Sequence, residues 1–212
     1  MCAALTPWLC IARPPSVAAL AARLAALASR RPGLRVLLAD AAPLALLGRL
    51  LRCCGDEAAV CVAALARDRE LQGALLPCAL ELARVFGGGG SGVGAAAEAL
   101  LQLASTEAGL PVVTAAVTPQ HLLAALAFEG DDSAVHAVVH LAHRLAGATS
   151  GAGFASVSVA VALVKLIAPT HEPGVRTRAA AALRVVARTP LSQRGIWGTL
   201  FQCSKRQRRR CG

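Results

Sequence analysis

The chain has 212 residues, 56% of them apolar but only 3% aromatic, and a formal net charge of +10. That length supports one domain with a real core. The shortage of aromatic residues excludes a β-sandwich or barrel and leaves no stacking platform for a nucleic-acid domain. Ala and Leu dominate, both strong helix formers, so the fold class is all-α.

Residues 1–15 read as an N-terminal extension broken by Trp8, Pro14 and Pro15. A helix is predicted over Ser16–Arg31, with Ser16 as cap and Val17, Leu20, Leu24 and Leu27 as its apolar face. No acidic residue precedes Asp40, while Arg13, Arg23, Arg30, Arg31 and Arg35 are basic, which is also the make-up of an organellar transit peptide. The scarcity of Ser there favours a first helix of the domain. Gly33–Ala39 follows as a short helix or turn, then a unit opened by Pro43. Asp68–Phe86 is a further helix with Leu71, Leu75, Leu82 and Val85 apolar, and Pro77 predicts a kink or break inside it. The run Gly87–Gly92 has no Gly-Lys-Ser/Thr after it and no strand before it, which excludes a phosphate-binding loop. It is expected to be a flexible loop over residues 87–94. Gly94–Ser105 gives another helix, and Glu107–Val117 a short one interrupted by Pro111.

The stretch Pro119–Ala146 predicts two helices joined by an acidic turn. Pro119 suits a first helical turn, where its missing N–H is harmless. Leu122, Leu123 and Leu126 form one stripe, and Gly130 closes that helix. Asp131, Asp132 or Ser133 can cap the next, in which Ala134, Val138, Leu141, Ala142 and Leu145 share a face. Neither helix can bury its stripe alone.

The unit recurs. Moving back 76 residues (119 − 43) sets Pro43 on Pro119, Leu46, Leu47 and Leu50 on Leu122, Leu123 and Leu126, and Asp56, Ala58, Val62, Leu65 and Ala66 on Asp132, Ala134, Val138, Leu141 and Ala142. This offset is twice the ~40-residue period of helical-solenoid repeats, so one more unit is expected between the two copies. Near the end, Glu172, Pro173, Val175, Arg176, Ala179, Ala180 and Leu183 resemble the second half of a HEAT repeat, and the two Pro-led units resemble armadillo repeats. The resemblance covers most of residues 34–188. It implies a right-handed α-solenoid of about three to four armadillo/HEAT-like repeats over residues 16–188.

Leu145–Val164 carries no charge, but Gly147, Thr149, Ser150, Gly151, Gly153, Ser156 and Ser158 break it, so a loop and a buried helix are expected and no membrane span. Thr189–Pro190 ends the repeats, and 189–212 is an irregular basic tail. Lys205, Arg206, Arg208, Arg209 and Arg210 there could serve nuclear import or nucleic-acid contact, or simply be solvated. No polar cap closes the last repeat, as expected for a fragment, a short isoform or one member of an obligate complex. Of eight Cys, none forms Cys-x-x-Cys; several lie on apolar helix faces and are expected as buried free thiols in a reducing compartment.

His136, His140 and His143 lie on one face of the second predicted helix, opposite its apolar stripe, and are expected to be exposed. Imidazoles so spaced can share a zinc with Asp132, but three on one straight helix rarely complete a coordination sphere. No hydrolase elbow or zinc-protease motif is present. Armadillo proteins that bind extended peptides hold the backbone with a ladder of Asn, and this sequence has no Asn. A groove lined by His136, His140, His143 and Arg176, with Arg67 matching His143, would suit an acidic protein partner instead. The expected role is a non-enzymatic scaffold or adaptor, without cofactor or metal, in the cytoplasm. The basic tail also admits a nuclear site and the Arg-rich start an organellar one. The alternatives are a metal- or thiol-dependent helical enzyme and a nuclear or nucleic-acid-associated factor acting through the tail.

Overall fold

The computed structural model describes residues 44–128, 130–149, 154 and 156–188. The N-terminal extension, the helix expected over Ser16–Arg31, Pro43 and the basic tail lie outside the described residues. Every regular element among the described residues is helical. In chain order these are α1 (Leu44–Cys53), α2 (Gly55–Ala66), α3 (Arg69–Leu75), a 3-10 turn (Leu76–Cys78), α4 (Ala79–Phe86), α5 (Val93–Leu103), α6 (Gly109–Ala116), α7 (Pro119–Leu126), α8 (Asp132–Ala148), α9 (Val157–Leu166) and α10 (Pro173–Val186).

Local chemistry explains the boundaries. Pro77 has no N–H for the α-helical ladder, and the chain there tightens into the 3-10 turn between α3 and α4. Pro111 does not interrupt α6 as its sequence suggests. It falls in the first turn, where the helix needs no N–H from it. Asp131 caps α8, its carboxylate accepting from the Ala134 N–H at 2.8 Å. At the start of α7 the cap is Thr118: its hydroxyl accepts from the His121 N–H at 3.2 Å, while His121 Nδ1 accepts from the Thr118 N–H at 3.4 Å. This is a capping box with His in the place usually held by Glu or Gln.

The helices pack in two rows. In one, α2 meets α5, α5 meets α8, and α8 meets α10. In the other, α1 meets α4, α4 meets α7, and α7 meets α9. The α4–α5 pair sits between α1–α2 and α7–α8. Large apolar side chains fill the space between the rows, with Phe86, Leu65, Leu82, Leu100, Leu103, Leu122, Leu141 and Leu145 fully buried. Small side chains set the spacing. Eight of the twelve residues of α2 are buried, and five of those eight are Ala, which lets its neighbours approach closely. The stripe expected on α8 is buried from Val138 to Leu145, but Ala134 is only partly covered and Val135, Val139 and Ala146 join the buried set.

The glycine run is packed against two helices. A Cβ on Gly92 would lie 2.6 Å from the Cα of Asp56 in α2, and one on Gly87 would lie 2.7 Å from the His121 ring of α7. Only Gly89 has a positive φ, at 72°. Ser91 donates to Asp56 Oδ2 at 2.5 Å and fastens the loop to α2. The loop therefore ties successive pairs of helices together, because its lack of side chains allows backbone to sit directly on a helix. No single helix among the described residues is long and apolar enough to cross a membrane.

Candidate functional site

The row α2–α5–α8–α10 presents a face on which most of the singled-out side chains stand. His136, His140 and His143 follow one another on α8 at helical spacing, and the first two rings lie 6.3 Å apart between centroids, inclined at 64°. They are half-buried, and not fully exposed as expected from α8 alone. The reason is α10. Gly174 leaves room beside His136, so that a Cβ there would come within 3.7 Å of the imidazole. Arg178, one turn further along α10, stands near enough to His140 to act on its charge. Partial burial first, then Arg178, His136, His143 and Arg144, all hold the His140 imidazole below its usual pKa.

Arg144 reaches back to α5, with Nη2 donating to the Ala104 carbonyl at 3.4 Å. That carbonyl lies at the C-terminal end of α5, where a cation is favoured by the helix dipole. His140, His143 and Arg144, with Leu110, Gly147 and Ala148, line an open hollow of about 460 Å³.

Arg67 stands apart from this group. Its Nε and Nη2 donate to Glu98 Oε1 of α5 at 3.0 and 2.6 Å, which pins α2 to α5 and neutralises the guanidinium. The pair borders a second hollow of about 410 Å³, floored by Ala63, Ala64, Gly94, Ala95 and Ala134 and edged by Asp131 and Phe128. Arg176 is exposed on α10, but it lies two residues, roughly 200° around the helix, from Arg178. It is not among the groups that act on His140. The structure thus sets the three His along one face of α8 with Arg178 near His140, while Arg176 stands exposed on α10. The pairing was latent in the sequence as two matching i, i+4 steps, His136–His140 and Gly174–Arg178, but nothing in one sequence sets those two steps side by side.

The described thiols divide sharply. Cys54, Cys61 and Cys78 are buried and free, whereas Cys53 is exposed. Burial is the main cause that pushes Cys61 up to about 12 and Cys54 and Cys78 up to about 11. These three persist as thiols at neutral pH and pack as small apolar side chains. Cys2, Cys10, Cys203 and Cys211 lie outside the described residues, as do the tail cations Lys205, Arg206, Arg208, Arg209 and Arg210. No group of three His, Cys, Asp or Glu side chains among the described residues converges as metal ligands do.

No family model and no curated protein matches the chain. Solved structures do. The engineered protein of Northeast Structural Genomics Consortium target OR329 superposes with a TM-score of 0.70 at 22% identity, over 88% of this chain and 79% of its own. The engineered protein of target OR366 superposes with a TM-score of 0.71 at 20% identity, over 93% of this chain and 86% of its own. At such identities the likeness is one of fold, and the fold it describes is all-helical.

Proposed function

We propose that the chain is an armadillo/HEAT-like α-solenoid that acts as a non-enzymatic scaffold, holding a partner protein on the face of the α2–α5–α8–α10 row. The observation that carries this reading is the row itself. Each of its helices packs on the next, so side chains from four helices stand on one continuous surface. The 76-residue offset in the sequence and the repeated order of two short helices followed by a longer one, in α3–α4–α5 and α6–α7–α8, support the repeat assignment. A surface of this kind recognises by shape and a few anchors, which requires no catalytic group. On it Arg67 stands at one end, and His136, His140, His143 and Arg178 at the other. Thiol catalysis has little support in the described residues, since three of the four thiols there are buried and strongly disfavour ionisation.

A photo-cross-linking experiment tests the reading. p-Benzoylphenylalanine is placed at His143 on the row face, or at Leu80, which is 51% exposed on α4 in the other row. Specific protein adducts are expected from position 143 and lost in the full chain carrying His136, His140 and Arg178 all changed to Glu, with the helical circular dichroism unchanged. Adducts from position 80 alone would reject the row face as the docking surface.

A further inference from the structure

We propose that the hollow across α2, α5 and α8 binds an arginine side chain of a partner protein, carried on a segment with small residues beside it. This rests on the scaffold reading and assigns the partner's chemistry at one place on the row. The hollow measures about 410 Å³ and takes its lining from three successive helices and from the turn before α8. Ala63, Ala64, Gly94, Ala95, Ala134 and Ala137 give it a floor without long side chains. Two carboxylates and one ring stand over that floor. Glu98 accepts both hydrogen bonds of Arg67 on Oε1, at 3.0 and 2.6 Å, so that Oε2 takes neither. Asp131 is exposed and accepts from the Ala134 N–H through Oδ1. The charged residues that line the hollow are therefore Arg67, Glu98 and Asp131, an excess of one negative charge on a chain whose formal net charge is +10. Ser91 of the rim donates to Asp56 Oδ2, which sets a third carboxylate beside the hollow. The ring is that of Phe128. Phe86 and Phe154 are fully buried, whereas Phe128 is only partly so. A Cβ at Gly130 would overlap the Phe128 ring, so the backbone of the turn holds the ring where it edges the hollow.

These parts match one kind of side chain. A guanidinium is planar, stacks on an aromatic face and donates to carboxylates from several N–H groups at once. Phe128 supplies the face, and Glu98 Oε2 and Asp131 supply the acceptors. A lysine ammonium is a compact point charge with no flat surface to lay on the ring. A carboxylate or phosphate would meet Glu98 and Asp131, and would find the one guanidinium of the hollow already engaged by Glu98. The small floor sets the rest of the segment. Ala and Gly leave the helix backbones uncovered, so main chain flanking the arginine can approach them, and bulky neighbours would hold it off. The grip is on a side chain, which needs no ladder of Asn to hold the peptide backbone.

The probe is the capped peptide acetyl-Ala-Gly-Arg-Gly-Ala-amide, titrated into the isotope-labelled full chain and followed by NMR amide shifts. Saturable shifts are expected at Gly94, Gly130 and Ala134. The same peptide with citrulline for arginine keeps the shape and loses the charge, and is expected to bind about tenfold more weakly. Asp131→Asn removes a charge while preserving the cap of α8, because Asn caps as well as Asp. It is expected to weaken binding about two- to fivefold, the worth of an exposed charge pair. Phe128→Leu is expected to weaken it by a similar factor, with the circular dichroism unchanged. If Phe128→Leu does not fold, Asp131→Asn and the citrulline peptide carry the test. Equal binding of the citrulline peptide overturns the proposal, as does affinity insensitive to Asp131→Asn and Phe128→Leu. A glutamate version of the peptide that binds more tightly and is weakened by Arg67→Gln overturns it as well. The titration is repeated on the full chain with Lys205, Arg206, Arg208, Arg209 and Arg210 changed to Gln, where the same affinity is expected. Shifts that arise only in that variant would make the chain's own tail the occupant and overturn the partner assignment. If the arginine peptide gives no shifts while the cross-links at position 143 persist, the arginine inference falls and the scaffold reading stands; loss of both removes both.

Discussion

Gly94 of α5 meets Ala134 of α8 so closely that a Cβ at position 94 would lie 2.6 Å from the Ala134 Cβ and 3.0 Å from its Cα. This contact sets the distance between two neighbouring helices of the row. It also lies in the floor of the hollow edged by Phe128 and Asp131. The Cβ and Cα of Ala134 occupy the space, so no side-chain rotation can make room.

The first prediction follows from that contact. Ala ordinarily stabilises a helix over Gly by about 1 kcal/mol. At position 94 overpacking opposes this with about 1–3 kcal/mol, so Gly94→Ala is expected to destabilise and Gly94→Val to do so further. Gly48 in α1 and Gly73 in α3 supply the control, because a Cβ at either meets nothing within 4 Å. Gly48→Ala and Gly73→Ala are expected to raise the urea midpoint, while Gly94→Ala lowers it. Equal gains at all three positions would show that α5 and α8 are not in close contact.

These details separate what a single sequence carries from what it does not. Helical stripes and caps depend on neighbours within one turn, so the break at Pro77, the cap at Asp131 and the buried run from Val138 to Leu145 were legible. The second helical pair at an offset of 76 residues was legible too, because it repeats the same local pattern. Contacts between helices were not. The fit of Gly94 to Ala134, of Gly92 to Asp56, and of Arg178 to His140 each joins residues from different elements. A Gly run reads locally as slack chain, and only the α2 and α7 surfaces beneath it show that it is packed. Arg178 likewise gains meaning only from His140 across the α8–α10 contact.

The ion pair between Arg67 and Glu98 is short, but both side chains reach solvent, at 56% and 36% exposure. Exposed pairs of this kind contribute about 0.2–1 kcal/mol. A double-mutant cycle with Arg67→Ala and Glu98→Ala is expected to give a coupling in that range, smaller still at high salt. A coupling of several kcal/mol would mean that the pair is shielded from water in solution.

Thiol reactivity offers a third measurement. At about pH 7.5 with an alkylating reagent, and with peptides resolved by mass spectrometry, Cys53 is expected to label quickly in the native chain. Cys54, Cys61 and Cys78 are expected to label only on unfolding, because burial removes both access and thiolate. The protection of Cys61 reports the α2 core, where it is 1% exposed. Rapid native labelling of Cys61 would show that α2 opens locally well below the global unfolding free energy.

The last prediction concerns acid. Partial burial and four neighbouring basic groups hold His140 below its usual value of 6.5, so the unfolded chain binds a proton in an interval where the folded chain does not. The stability slope with pH is then positive across that interval. The contribution is complete above about 6.5, the unfolded value, and is lost as pH falls toward the folded one. Arg178→Gln removes the largest of the charge effects on His140. Its expected outcome is a His140 NMR titration moved upward, and a smaller loss of stability on acidification than in the unaltered chain. His140→Gln is expected to flatten the same loss from the other side of the pair. A His140 midpoint unchanged by Arg178→Gln would mean that burial and the basic groups of α8 set it, and that α10 does not bring its charge to α8.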